Sequence, residues 1–288
     1  MGKVMMNTPR EILAHYAVKP QKKLGQSFLV EPESIGRIAD AANAGENDVI
    51  VEIGAGIGVL TQYLARHAAK VIAVEFDGQL IPVLEERLAK YGNIQIHRGN
   101  ILRFDFRALA EAENTKIKVA GNIPYNISSP LLFYLLSFRD VIGSFVLMMQ
   151  KEFVERLAAS PGNKSYGVPS VILQMFAAVE TVMDIPAAYF HPRPKVESSV
   201  MRGVFLEKPL IELSNEDFFV RLVRDSFAQR RKTLMNNLKN SSLLEKAPES
   251  LLKNILASAG IDPGRRAETL SVYEFGHLSN LLNHGITK

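Results

Sequence analysis

The sequence predicts an α/β domain followed by a small all-helical domain, and two patterns carry this prediction. Between residues 33 and 206, short β-branched runs alternate with stretches of helical period, which is typical of a parallel sheet with helices on both faces. From residue 215 onward the chain keeps helical spacing and shows no convincing strand. A chain of 288 residues is long enough for one large domain with a smaller appendage.

Each element is predicted from its own local pattern. Glu33–Asn43 has the spacing of an amphipathic helix, and Asp48–Ile53 is a β-branched run that stops at a glycine. Ala177–Asp184 and Ser199–Leu206 are expected to extend or edge the sheet. The other predicted strands are Lys70–Glu75, Asn93–His97, Lys116–Ala120 and Ser144–Met149. The predicted helical segments are Val59–Ala69, Gln79–Tyr91, the stretch around Asp105–Ala112 and, in the tail, Asn215–Lys239, Pro248–Ala259 and Val272–Asn283.

The domain limits follow from these elements. Residues 1–20 are an N-terminal extension whose order is left open, residues 21–207 form the α/β domain, and residues 208–288 form the helical domain. Hydrophobic residues make up 47% of the chain and charged residues 22%, so a sizeable core can be buried. This composition excludes the collagen-like and disordered classes.

Cysteine is absent, which excludes disulfide scaffolds, thiolate zinc sites, iron–sulfur clusters and cysteine nucleophiles together. A reducing compartment fits this composition. The first basic residues are not followed by the apolar run of ~7–15 residues that an export signal needs. No segment has the ~20 nearly uncharged residues of a membrane span. We therefore expect a cytoplasmic protein without a membrane partner. The six histidines include no pair at metal-ligand spacing, so no metal is expected.

The net charge of +4 is unevenly distributed along the chain. Counted from the sequence, residues 1–30 carry +4, residues 31–213 carry −3 and residues 214–288 carry +3. Two basic groups stand out: Lys22 and Lys23 near the N-terminus, and Arg230, Arg231 and Lys232 on the predicted tail helix. Such groups favour contact with the phosphates of a nucleic acid, although charge runs are also common on solvated helix faces.

A glycine-rich segment, VEIGAGIGVLT, covers Val51–Thr61 where a strand turns into a helix. Its glycines, Gly54, Gly56 and Gly58, would let the backbone approach a nucleotide-like cofactor. Glu75 closes the next strand at a distance of about 20 residues, which suits a carboxylate that accepts both ribose hydroxyls. A plain tight turn is the alternative. The acid Glu52 precedes the motif, so a ligand with cationic groups such as S-adenosylmethionine fits better than a pyrophosphate.

A second motif, GNIPYNISSP, follows the predicted strand Lys116–Ala120. The Asn122 amide oxygen and a neighbouring backbone carbonyl can accept both hydrogens of an exocyclic amino group, and the Tyr125 ring can stack on the base. Such an arrangement directs the lone pair of the amino nitrogen toward an electrophile, so that catalysis depends on positioning and electrostatics. The alternative is an Asn-Pro turn that caps the helix beginning near Ser128.

Six sequence blocks carry a family resemblance: KKLGQSFL (Lys22–Leu29), VEIGAGIGVLT, VIAVEFD (Val71–Asp77), GNIPYNISSP, FHPRPKVESSV (Phe190–Val200) and SFAQRRKTLMNNL (Ser226–Leu238). With these blocks, from about Pro20 to the C-terminus, the chain resembles the KsgA-type small-subunit ribosomal RNA adenine N6-dimethyltransferases. The resemblance implies a Rossmann-like S-adenosylmethionine-dependent methyltransferase domain with a small C-terminal all-helical domain. It also implies dimethylation of two adjacent adenosines in the 3′-terminal hairpin of 16S rRNA, with the small subunit or its precursor as partner and a monomer as the acting form.

The family's site residues carry over onto this sequence in three groups. Family members usually have Asn at position 27 and Asp at position 100, where this chain has Ser27 and Asn100. Asn100 gives up a charge-assisted hydrogen bond, worth roughly 1 kcal/mol more than a neutral one, so weaker cofactor binding is expected. The cofactor group is Ser27, Leu29, Gly54, Gly56, Glu75, Asn100 and Asn122. The target-base group is Asn122, Tyr125 and Phe190, and the RNA group is Lys22, Lys23, Arg230, Arg231 and Lys232.

Two other functions remain open. One is the erythromycin-resistance type of large-subunit (23S) rRNA adenine N6-methyltransferase, which shares fold and motifs; the FHPRPKVESSV and RRKTLMNNL blocks favour the small-subunit type. The other is a non-enzymatic RNA-binding assembly factor that kept the fold, against which the intact Gly54, Glu75, Asn122 and Tyr125 argue.

Overall fold

The computed structural model describes residues 9–245 and 247–286, with the side chain of Lys22 also outside the description. The helices are α1 Pro9–His15, α2 Pro32–Ala41, α3 Val59–Leu64, α4 Ile81–Leu88, α5 Phe106–Glu113, α6 Ser128–Leu136, α7 Lys151–Leu157, α8 Val168–Phe176, α9 Glu216–Ser226, α10 Leu234–Lys239, α11 Glu249–Ser258 and α12 Val272–Ile286. The strands are β1 Phe28–Leu29, β2 Val49–Ile53, β3 Lys70–Glu75, β4 Ile94–Arg98, β5 Ile117–Asn122, β6 Ile142–Gln150, β7 Ala177–Ile185, β8 Phe190–His191 and β9 Ser198–Phe205.

Seven of the strands form one mixed sheet in the order β4-β3-β2-β5-β6-β9-β7. The first five are parallel to one another, while β9 pairs antiparallel with β6. Strand β2 is buried along its whole length: four of its five residues are apolar, as expected for a central parallel strand, and Glu52 is buried among them. The predicted α/β class is confirmed, and the parallel part of the sheet gathers the carboxyl ends of β2, β3 and β5 at one edge.

Contacts divide the described chain into two compact units. The first holds the residues up to Val154 together with Glu180–Phe205, and the second holds Glu155–Val179 together with the chain from Leu206 onward. The domain limits expected from the sequence, at residues 20 and 207, stay a prediction about which segments fold independently.

Helix α1 lies within the predicted N-terminal extension. Its residues Ile12 and Leu13 are buried in a cluster that also contains Phe28, Ile57 and Leu80. Burial of two large aliphatic side chains stabilises the docked helix, because each removes apolar surface from water. Helix α1 is therefore docked on the first unit by one buried face, while its other residues are exposed.

The sequence-based prediction lacked several elements, among them α7 and the short strands β1 and β8, and two further stretches differ from it. The apolar region before β7 contains helix α8, which begins after Gly167 and passes directly into the strand at Ala177. The single helix expected over residues 215–239 is two helices, α9 and α10, joined by a turn. Thr233 caps α10, its hydroxyl accepting from the N–H of Asn236 at 3.3 Å, so a new helix begins there.

The second unit packs its helices around buried aromatic and aliphatic side chains. Phe219 of α9 and Phe275 of α12 are fully buried, and Phe275 stacks on Phe227 with ring centroids 5.8 Å apart. This confirms the predicted helical C-terminal region. Within the described residues, no helix combines the length and the apolar character that crossing a membrane requires.

Candidate active site

A cavity of about 300 Å³ opens at the carboxyl edge of the parallel strands in the first unit. Its lining includes every residue that the sequence assigned to the cofactor or to the target base: Ser27, Leu29, Gly54, Gly56, Glu75, Asn100, Asn122, Tyr125 and Phe190. Carboxyl edges are where open α/β sheets hold their ligands. The fold therefore brings together residues that are up to 163 positions apart in the sequence.

The glycine turn between β2 and α3 has a backbone that only glycine adopts freely. Gly54, Gly56 and Gly58 have φ values of 69°, 61° and 76°, all in the left-handed region. A Cβ on Gly56 would meet the ring of Phe28 at 3.0 Å. The turn thus needs glycine both for its conformation and for its close approach to the segment that covers the cavity.

Glu75, at the end of β3, is held rigidly beside this turn. One carboxylate oxygen accepts from the N–H of Gly56 at 2.8 Å and the other from the N–H of Asp77 at 2.7 Å. Only 6% of the residue is exposed, and this burial raises the pKa of the carboxyl above its ordinary value. Each oxygen keeps a further lone pair, so the group can accept hydrogen bonds from a vicinal diol.

Glu52, in β2, is a second buried acid in the lining and was absent from the sequence-derived site residues. It is 2% exposed, and its Oε2 has no hydrogen-bond partner among the described residues. Burial raises the pKa of Glu52 to about 8, with the neighbouring charge of Glu75 adding to the shift. A buried carboxyl of this kind favours a cationic ligand group, which would restore its charged form.

The NIPY motif lies at the end of β5, where hydrogen bonds fix two of its side chains. The Nδ2 of Asn122 donates to the backbone carbonyl of Ser27 at 2.9 Å, so the amide offers its oxygen as an acceptor. The hydroxyl of Tyr125 lies 3.0 Å from the Oγ of Ser198. Phe190, also in the lining, is held by the pairing of β8 with β1, where it faces Leu29.

Two of the sequence-derived cofactor residues already make contacts within the protein. The Oδ1 of Asn100 accepts from the N–H of Leu102 at 3.0 Å and so caps a single helical turn. The hydroxyl of Ser27 donates to the carbonyl of Pro192 at 2.7 Å. Asn100 thus keeps its amide NH₂ for a ligand, whereas the hydroxyl proton of Ser27 is used within the protein.

Sequence reasoning also missed Phe76, which follows Glu75 and lines the cavity. Its side chain is unusually open for a phenylalanine, with 61% of the residue exposed. An aromatic face beside a rigid carboxylate suits a nucleoside base. The signal was present in the sequence as a large aromatic residue immediately after a strand-end acid.

The basic residues expected to bind RNA are distributed over both units. Lys23 is exposed and directly precedes residues 24–29, which line the cavity. The side chain of Lys22 lies outside the described part of the chain. Arg230, Arg231 and Lys232 are exposed but lie in the turn between α9 and α10, so their expected position on a helix was wrong. The Arg230 guanidinium bonds Glu268 at 3.0 Å and the carbonyl of Lys164 at 2.6 Å, both within the second unit.

No group of three or more His, Asp or Glu side chains among the described residues is arranged to hold a metal ion.

A mixed seven-stranded sheet with a glycine turn, a strand-end glutamate and an Asn-x-Pro-Tyr loop at its carboxyl edge defines a Rossmann-like methyltransferase. Comparison with known proteins specifies the family: ribosomal RNA adenine dimethylase matches residues 17–282. The chain belongs to this family. It is an S-adenosylmethionine-dependent ribosomal RNA adenine dimethylase.

Relatives of this chain are similar over nearly their full length. The ribosomal RNA small subunit methyltransferase A of Bacillus cereus (strain B4264) is 44% identical over 279 residues, 96% of each chain. The protein of the same name from Bacillus anthracis (strain CDC 684 / NRRL 3495) has the same identity and coverage.

Two solved structures share the fold. The crystal structure of a dimethyladenosine transferase from Plasmodium falciparum matches with a TM-score of 0.79 at 28% identity, covering 90% of this chain and 98% of that one. The crystal structure of the 23S rRNA methyltransferase ErmE matches with a TM-score of 0.71 at 25% identity, covering 89% and 99%.

Proposed function

We propose that this protein dimethylates the N6 atoms of two adjacent adenosines in the 3′-terminal hairpin of 16S rRNA, during assembly of the small ribosomal subunit. The observation that supports it most is the convergence of Asn122, Tyr125 and Phe190 on the cavity that also contains Glu75. The 44% identity to proteins named small subunit methyltransferase A supports this choice of RNA.

The cavity residues fit S-adenosylmethionine. The Oε2 of buried Glu52, which has no hydrogen-bond partner in the described part of the chain, suits its ammonium group. The carboxylate of Glu75 suits the ribose hydroxyls, and the Asn100 amide suits the adenine edge. The backbone of Gly54 and Gly56 leaves room for close approach because neither residue has a Cβ. When bound, the cofactor supplies an electrophilic methyl group on a sulfonium.

The residues of the NIPY loop would hold the target amino group. The Oδ1 of Asn122 and a nearby backbone carbonyl accept its two hydrogens, which turns the nitrogen lone pair toward the methyl donor. Tyr125 and Phe190 stack on the two faces of the adenine that has left its helical stack. No strong general base is needed, because the methylated nitrogen is acidic enough to lose its proton to water.

Basic residues would bind the RNA backbone outside the cavity. Lys23, Arg231 and Lys232 are exposed and suited to phosphate contacts, and Lys22 and Arg230 complete the proposed RNA group. We also propose a monomer as the acting form, as the family resemblance implies.

The test is transfer of labelled methyl groups from S-adenosylmethionine to purified ribosomal subunits. Each substrate is supplied from cells that lack this activity, so that its target adenosines are unmodified. The proposal predicts label in small-subunit RNA at up to four methyl groups per subunit. Label confined to large-subunit RNA would contradict it in favour of the erythromycin-resistance type, and RNA binding without any label would favour an assembly factor.

A further inference from the structure

Three segments of the first unit meet at Ser27. Its carbonyl accepts from the Nδ2 of Asn122 at 2.9 Å, and its hydroxyl donates to the carbonyl of Pro192 at 2.7 Å. Immediately after it, Phe28 and Leu29 pair with β8, and the N–H of Val30 donates to the carbonyl of Tyr189 at 2.8 Å. One serine thus connects the N-terminal segment, the NIPY loop and the loop after β8.

The carbonyl of Ser27 determines which end of the Asn122 side chain is available. The two ends of an amide have almost the same shape, but one donates and the other accepts. A backbone carbonyl can only accept, so it selects the Nδ2 end and leaves Oδ1 as the free acceptor. An amino group in the cavity requires a hydrogen-bond acceptor, and the contact with Ser27 leaves the acceptor Oδ1 of Asn122 available.

This selection works only if the carbonyl of Ser27 stays in position. Upstream, the Nε2 of Gln26 and that of Gln21 both donate to Asp77 at 2.8 Å. Downstream, the segment is held by the two-residue pairing of β1 with β8, which is too short to be rigid by itself. The hydroxyl of Ser27 adds a side-chain tie at the start of this short pairing.

We propose that Ser27 is a positioning residue: by tying the N-terminal segment to Pro192, it keeps the Asn122 amide oriented with its oxygen toward the target amino group. The proposal rests on the proposed function in so far as Asn122 receives that group. It assigns Ser27 this role in place of the direct cofactor contact expected from the sequence: the hydroxyl proton is donated to Pro192, and the affinity measurement below tests whether the hydroxyl oxygen also accepts from the cofactor.

The test compares Ser27→Ala, Ser27→Thr and the control Ser137→Ala in the full chain. Ser27→Thr keeps a hydroxyl. Ser137 also donates its hydroxyl to a backbone carbonyl, that of Tyr134 at 2.7 Å, but it ends α6 and does not line the cavity. Three quantities are measured: amide hydrogen exchange of residues 26–31 without ligand, affinity for S-adenosylhomocysteine, and the single-turnover rate of methyl transfer to small-subunit RNA.

For Ser27→Ala we expect roughly fivefold faster exchange in this segment and a single-turnover rate lowered about fivefold, the effect of one lost hydrogen bond. Affinity for S-adenosylhomocysteine should stay within about twofold, Ser27→Thr should restore exchange and rate, and Ser137→Ala should match the wild type.

Unchanged exchange in Ser27→Ala, or an affinity for S-adenosylhomocysteine that falls in parallel with the rate, would overturn the proposal. The second result would return Ser27 to the cofactor. The exchange and affinity measurements contain no RNA, so they decide the role of Ser27 even if another RNA proves to be the substrate.

Discussion

The hydroxyl of Tyr125 lies 3.0 Å from the Oγ of Ser198, a buried residue at the start of β9. The contact joins the NIPY loop to a strand that lies 73 residues further along the chain. It fixes the tilt of the ring proposed to stack on the target adenine, because a second atom of the side chain is then held besides its backbone attachment.

Ser198→Ala and Tyr125→Phe should each lower the rate of methyl transfer by about fivefold, since each removes the same hydrogen bond. The double variant should be no slower than either single one, because the two residues act through one contact. Tyr125→Ala should lower the rate of methyl transfer further, by about 10- to 100-fold, since the stacking ring is lost. Single-turnover rates measure these effects.

Tyr134→Phe is the matched control, because the hydroxyl of Tyr134 also makes a single bond, to the carbonyl of Phe104 at 3.0 Å, outside the cavity lining. Its rate should equal that of the wild type. Additive losses in the double variant of Tyr125 and Ser198 would show that the two hydroxyls act independently.

Asn122→Ala should lower methyl transfer by about 100-fold or more while RNA binding stays nearly intact. The reason is that the acceptor for the amino group disappears, whereas the basic residues outside the cavity remain. Filter binding to small-subunit RNA and single-turnover transfer separate the two effects. Activity unchanged in this variant would refute the role assigned to Asn122.

Cofactor binding should release a proton from Glu52. The pKa of Glu52 is about 8 in the cofactor-free protein, so the carboxyl is protonated at pH 7 and ionises when an ammonium group binds beside it. Calorimetric titration with S-adenosylhomocysteine at pH 7, in buffers of different ionisation enthalpy, should report close to one proton released. Glu52→Gln should release close to none, and equal proton release from both proteins would contradict this account.

The same group sets a pH dependence of stability in the cofactor-free protein. The folded-state pKa of Glu52 lies above the ordinary value of 4.5, so the unfolded chain ionises first. Its contribution to the free energy of unfolding therefore falls as the pH rises from about 4.5 toward 8. Denaturant titrations across this pH range should show a smaller decline in the free energy of unfolding for Glu52→Gln than for the wild type. Parallel curves for the two proteins would contradict a raised pKa of Glu52 in the folded state.

Charge reversal in the turn between α9 and α10 should weaken RNA binding in a salt-dependent way. Arg231→Glu and Lys232→Glu should each reduce the slope of log affinity against log salt by about 0.7 to 0.9, the effect of one lost phosphate contact. Lys253→Glu, on α11, is the control, since Lys253 is exposed but pairs with Glu249 at 2.9 Å. Equal affinity of wild type and both turn variants at low salt would remove this turn from the RNA interface.

Arg230 needs a separate variant because it also supports its own unit. Its guanidinium holds Glu268 and the carbonyls of Lys164 and Tyr166. Arg230→Lys keeps the charge but loses the forked geometry, so it should lower the melting temperature while leaving the salt slope unchanged. Arg230→Glu, which removes the charge as well, should also reduce the slope, and an unchanged slope in Arg230→Glu would remove Arg230 from the proposed RNA group.

Much of the fold was predictable because its signals are local. Strands β2 and β3 are short apolar runs that end in a glycine turn and in Glu75, and these runs mark both the sheet and one edge of the site. The apolar region around α8 and β7 was harder, because a continuous apolar stretch does not distinguish a buried helix from a buried strand. The turn at Arg230 was also hidden, since arginine and lysine are good helix formers.

The contacts that organise the site could not be predicted in the same way. Asn122 and Ser27 are 95 residues apart, and no local pattern encodes which carbonyl an amide will meet. Likewise, the sequence does not show that the Oε2 of Glu52 lacks a hydrogen-bond partner among the residues that the structure describes. Sequence motifs therefore indicated which residues line the cavity, and the structure added what holds each of them.

Mass mapping of dimethylated adenosines in ribosomal RNA tests the central claim most directly. RNA is compared from cells with the gene, cells without it, and cells that carry only the Asn122→Ala variant. The account predicts two adjacent N6,N6-dimethyladenosines near the 3′ end of small-subunit RNA in the first case and unmodified adenosines in the other two. Identical small-subunit modification in all three, or a loss confined to large-subunit RNA, would contradict it.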